Sequence, residues 1–119
     1  MLFRSRPLRT FTPEEVGQAV SPQTAAALRE MMIAVVEDGT GTNGQVPGAT
    51  VGGKTGTAQH AEGAAPHAWF IAFGESGDRE IAVAVVVEEG GDLGSEATGG
   101  QVSAPVAAEV MSAYLGGGD

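Results

Sequence analysis

Apolar residues are grouped along the chain, and their spacing predicts the elements. Leu28, Met31, Met32, Val35 and Val36 recur every three or four residues, with Arg29, Glu30 and Glu37 between them. That is the period of a helix burying one stripe. Ser21-Pro22 marks its start, since the hydroxyl can cap free amides and proline loses nothing in the first turn. The helix is expected to run to about Glu37 and to stop at Gly39, with Met31 and Met32 filling core. Residues 68–73 (AWFIAF) and 81–87 (IAVAVVV) are apolar without alternation, the mark of strands covered on both faces. Residues 75–79, containing Ser76-Gly77-Asp78, are short enough to join them as an antiparallel hairpin. Val106, Val110, Met111, Tyr114 and Leu115 fall on one stripe of a last helix, beginning near residues 103–105 and ending at Gly116-Gly117-Gly118.

A further strand is expected around Lys54, between polar, glycine-rich loops at residues 40–48 and 59–66; another such loop covers residues 88–100. Residues 1–20, broken by Pro7 and Pro13, read as an extended lead-in. The fold class is α+β: an antiparallel three-stranded meander with a helix before and a helix after it. Two helices barely cover two strands that are apolar on both sides. More structure is therefore expected to pack here than the chain supplies, and the chain alone is expected to expose apolar surface or to self-associate.

Composition narrows the function classes. The 119 residues make at most one domain, and 19 glycines weaken its core. A net charge of −9 with six cationic side chains, of which Arg4, Arg6 and Arg9 crowd the first residues, argues against nucleic acid as a partner. Without cysteine there is neither a disulfide nor a thiolate metal site. No apolar run reaches the ~18 residues of a membrane span, and the N-terminal residues lack the apolar core of a signal peptide.

The chemistry concentrates in Gly52-Gly53-Lys54-Thr55-Gly56-Thr57-Ala58-Gln59, which holds the chain's one lysine. In an extended strand Thr55 and Thr57 point the same way and can offer two hydroxyls to one carboxylate. Gly56 leaves a gap through which a ligand backbone could lie along the strand as an added strand. Lys54 supplies positive charge, although alternation aims it at the opposite face, so its ammonium must reach round on a flexible stem. The same residues satisfy the phosphate-loop pattern G-x-x-x-x-G-K-[ST] from Gly48 to Thr55. That reading needs a strand before the glycines and a helix opening at Lys54-Thr55, whereas Pro47 precedes and Gly56, Gly63 and Pro66 follow. His60 and His67 read as polar loop residues and not as a metal pair. Ser76, His67 and Asp78 have no spacing that supports a triad, and the acidic residues from Glu88 to Glu96 read as a solvated loop.

Lys54-Thr55-Gly56-Thr57 resembles the K-T-G motif of penicillin-binding proteins and serine β-lactamases. Ser21-Pro22 with its helix, the Glu37-Asp38-Gly39-Thr40-Gly41 turn, His67-Ala68-Trp69-Phe70 and residues 100–105 resemble the same region of class B transpeptidases, closest to the actinobacterial septal type. The likeness spans residues 13–115. It implies a D,D-transpeptidase acting on the D-Ala-D-Ala end of peptidoglycan stem peptides and acylated by β-lactams, extracytoplasmic and membrane-anchored in the family, with no cofactor. By that resemblance Thr55 and Thr57 bind the terminal carboxylate, Lys54 contributes charge, Gly56 admits the peptide backbone, and the Thr57 N–H is an oxyanion donor.

The departures are as informative. The family's nucleophile lies in S-x-x-K and a second motif is S-x-N, yet Ser5, Ser21, Ser76, Ser95, Ser103 and Ser112 are followed three residues on by Leu, Thr, Arg, Thr, Val and Leu. Asn43, the single asparagine, has Gly41 two residues before it. The chain is therefore expected to hold half an active site and to be inactive alone. Residues 21–119 are expected to be the C-terminal part of a five-stranded transpeptidase domain whose remaining strands and nucleophile come earlier. The alternatives are a non-catalytic peptide-binding or interaction module and, third, phosphate-loop-like nucleotide binding.

Overall fold

The structure, a computed structural model, describes residues 6–116. Residues 6–19 form no helix or strand and are exposed; Arg4, Gly117 and Gly118 lie outside the described residues. Helix α1 spans Pro22–Asp38. Its Ser21 Oγ accepts from the Thr24 amide at 3.2 Å, and the Gly39 amide closes the far end on the Val35 carbonyl at 3.0 Å. A short turn over Thr42–Gly44 leads to β1 (Thr50–Ala58), which pairs antiparallel with β2 (His67–Ser76). β2 pairs antiparallel with β3 (Arg79–Val87), so the sheet order is β1-β2-β3. The hairpin between β2 and β3 closes through Gly77 and Asp78, with Gly77 at φ +61°, where a side chain would be strained. Two irregular turns, Glu88–Glu96 and Gly99–Ser103, then deliver the chain to α2, Ala104–Leu115.

Register sorts the sheet into two faces. On one, Val51, Phe70 and Ala72 pack with Val36, Val46, Ala104, Ala107, Met111 and Leu115 into the core, and Ile81, Val83 and Val85 flank it. On the other stand Trp69, Ile71, Ala82, Ala84 and Val86, all exposed, with Ile71 at 47%. Burial therefore alternates along β2 and β3 although their apolarity does not. Nothing among the described residues covers that second face, apart from Phe73. There α1 runs beside β1, and Arg29 lies 5.0 Å from the Phe73 ring while donating to both Glu75 carboxylate oxygens at 2.8 and 2.6 Å.

Two expectations about helix stripes need correction. Met31 is 57% exposed and Leu28 is exposed, because only the C-terminal part of α1, through Val36, reaches the core. Met31 is thus not core filler. In α2 the buried stripe is Ala104, Ala107, Met111 and Leu115, whereas Val106, Val110 and Tyr114 turn outward. The helix is apolar nearly all round, so hydrophobicity alone could not choose its inner side. Ala104 and Ala107, with Met111 and Leu115, share the buried cluster with the wholly buried Phe70 ring.

Candidate functional site

Glycines decide how β1 sits in the sheet. A Cβ at Gly53 would press on the Phe70 ring at 2.5 Å, and one at Gly52 would strike the Phe73 ring. These two glycines exist for packing. Gly56 does not: a Cβ there would meet nothing closer than Trp69 Cβ at 3.6 Å, an ordinary contact. The described fold would accept a side chain at Gly56.

The side chains alternate as expected. Lys54 is exposed and shares a face with its partner Ile71, while Thr55 and Thr57 occupy the opposite face with Phe70 and Ala68. The Lys54 stem bends back so that Nζ donates to the Thr55 carbonyl at 2.6 Å, which draws the ammonium in to the backbone of the strand. The backbone direction follows from Gly99, which packs against both the Gly56 nitrogen and the Trp69 carbonyl. Those two groups meet between the strands, so Gly56 bonds inward to β2. In an antiparallel ladder neighbouring residues then point the other way. Thr55 and Thr57 turn their amides and carbonyls to the outer edge of β1, which no strand among the described residues occupies. Two hydroxyls, an ammonium and outward backbone groups without a strand partner thus lie along one open ledge, able to receive an extended peptide ending in a carboxylate.

Two features escaped the reading of the sequence. Thr40 Oγ1 lies 2.9 Å from Thr55 Oγ1, and Asn43 Nδ2 donates to the Gly100 carbonyl at 2.8 Å. Gly99 and Gly100 are both buried, and a Cβ on Gly100 would collide with the Thr40 carbonyl. The Gly-Gly pair was the available signal, but only the tertiary contact shows that it lets this turn lie flat on the sheet behind Thr55. Its capping box, in which Thr98 accepts from the Gln101 amide and the Gln101 side chain accepts from the Thr98 amide, fixes the turn.

The competing chemistry finds no geometry. β1 continues as strand through Gly53-Lys54-Thr55, and no helix opens there, so the phosphate-loop reading is contradicted. His67 and Ser76 sit at opposite ends of a ten-residue strand, roughly 30 Å apart at the rise of an extended chain, which removes the triad. His60 stacks on His67 with centroids 3.9 Å apart, and His67 Nδ1 accepts from the Glu89 amide at 3.0 Å. Among the described residues no group of three or more His, Cys, Asp and Glu side chains could hold a metal ion. Ser103, wholly buried, donates to the Ala68 carbonyl at 2.7 Å and is a structural residue.

An antiparallel meander flanked by two helices, with Lys-Thr-Gly-Thr on its outer edge, is the arrangement of a penicillin-binding transpeptidase, and the sequence agrees. Residues 6–112 match the family model described as the penicillin binding protein transpeptidase domain, and the chain belongs to that family. It is 45% identical over 111 residues to the peptidoglycan D,D-transpeptidase PbpA of Mycolicibacterium smegmatis, covering 91% of this chain and 22% of that protein. The same identity holds over 103 residues to PbpA of Mycobacterium tuberculosis, covering 84% of this chain and 21% of that one. The D,D-transpeptidase domain of a peptidoglycan glycosyltransferase from Eggerthella lenta superposes with a TM-score of 0.65 at 31% identity, over 92% of this chain and 24% of that one. The chain thus spans about a fifth of the length of the curated relatives it matches. It is peptidoglycan D,D-transpeptidase-like and similar to actinobacterial PbpA.

Proposed function

We propose that this chain forms the carboxylate-binding half of a D,D-transpeptidase site, taking the D-Ala-D-Ala end of a peptidoglycan stem peptide or a β-lactam in its place. The peptide lies antiparallel on the outer edge of β1, its terminal carboxylate receiving the Thr55 and Thr57 hydroxyls. Lys54 offsets the negative charge, and the Thr57 amide donates to the oxygen that becomes an oxyanion as the carbonyl carbon turns tetrahedral. Removing one such donor elsewhere costs about 3–4 kcal/mol of transition-state stabilisation. The observation that carries this reading is Gly56, whose missing side chain the packing does not require. A ligand whose groups reach from the outer edge over the exposed Trp69 face of β1 does require it.

No serine in the chain is followed by lysine three residues on, so the nucleophile and its activating base belong to another part of the protein. Its substrate lies outside the cytoplasmic membrane, which places the working protein there; no described helix is long and apolar enough to cross a membrane. Labelled penicillin should leave no covalent adduct on this chain but should acylate the domain extended upstream. An adduct on the chain itself would overturn the assignment of the nucleophile. Within the extended domain, Gly56→Ala should leave the melting temperature unchanged or slightly higher, since alanine is favoured over glycine by about 0.5–1 kcal/mol in a strand. The same variant should acylate at least about tenfold more slowly, and unimpaired acylation would remove the central support.

A further inference from the structure

The Thr40 hydroxyl touches the proposed carboxylate site without belonging to the Lys54 strand. Thr55 Oγ1 and Thr40 Oγ1 lie 2.9 Å apart, and each hydroxyl has one proton to give. If Thr55 spent its proton on Thr40, it would meet an incoming carboxylate with lone pairs only. For Thr55 to donate to an anion, the bond between the threonines must run from Thr40 to Thr55. We infer that Thr40 is a positioning residue that donates to Thr55 Oγ1 and so commits the Thr55 proton to the ligand carboxylate; this rests on the site reading above.

The surroundings hold Thr40 for that task. The amides on either side of it, Gly39 and Gly41, both donate to the Val35 carbonyl at 3.0 Å, so the last turn of α1 anchors it from both sides. Gly100 packs directly on the Thr40 carbonyl, and its own carbonyl accepts from Asn43 Nδ2 at 2.8 Å. A Cβ added at Gly100 would also come within 3.6 Å of Thr55 Cγ2, so this turn lies behind the Thr55 side chain. The backbone of Thr40 is thus fixed on three sides, although the residue is exposed and supports no core contact. In a chain of two hydroxyls ending on a charge, each bond polarises the next, so the second threonine strengthens the contact of the first.

The test uses the domain extended upstream, with acylation by a penicillin and by its methyl ester, in which the carboxylate is masked. Thr40→Val keeps the branched shape and removes the donor. It should slow acylation by the free acid roughly tenfold, the order of one hydrogen bond to a charged group, while leaving the slower reaction of the ester and the melting temperature unchanged. Thr40→Ser should restore the free-acid rate. Equal losses for acid and ester, or no loss for the acid, would overturn the role of Thr40, provided Thr55→Val is impaired toward the acid. If Thr55→Val acylates like the parent, the carboxylate site itself is misplaced and the inference falls with it.

Discussion

At the scale of single residues, the glycines divide by what stands above them. Gly99 packs on the Trp69 carbonyl and beside the Gly56 nitrogen, both backbone groups that cannot swing aside. Gly99→Ala should therefore cost about 1–3 kcal/mol, the range for forcing an extra carbon into a packed site, measured by thermal or urea unfolding. Gly56→Ala should not, and the contrast separates glycines kept for folding from one kept for binding. The distinction was only half legible in the sequence. Gly56 between two threonines announces a strand position without a side chain, and in the structure that position lies on the Trp69 face with no close neighbour. Gly99 and Gly100 looked like ordinary loop glycines, because the carbonyls they make room for come from Thr40 and Trp69, far away in the chain.

Elements were legible where a local signal set their ends. Ser21-Pro22 and Gly39 bound α1, and Gly77-Asp78 turns β2 into β3, all through contacts spanning a few residues. Ser21→Ala should cost about 1 kcal/mol, because the Thr24 amide loses its acceptor; helix content and melting temperature would report it. What the sequence left undecided was orientation. Val106 and Val110 are larger and more apolar than Ala104 and Ala107, yet the alanines face inward. Which side turns inward is a matter of close packing against the sheet, a quantity no hydrophobic pattern carries. The unbroken apolarity of β2 and β3 implies cover on both faces, and the described residues supply one. The Arg29 and Glu75 pair, about two-fifths exposed on each side, adds less than about 1 kcal/mol at the other end of the sheet.

At the scale of the molecule, one side of the sheet is a core and the other is an apolar floor of Trp69, Ile71, Ala82, Ala84 and Val86. An isolated chain should bind an apolar dye and sediment above its monomer mass, and Ile71→Lys should reduce both signals. A compact monomer without dye binding would count against an unfinished sheet. The outer side of β3 sharpens the point. Its backbone has no strand neighbour among the described residues, and Arg79–Val87 reads as seven consecutive apolar residues after Arg79 and Glu80. Such a border is a template onto which a second copy can crystallise its own backbone. The charge of −9 carried by every molecule limits how far such association grows in neutral buffer. Acid that neutralises the carboxylates, or salt that screens them, removes this repulsion and leaves the border uncovered, so turbidity should rise under either treatment.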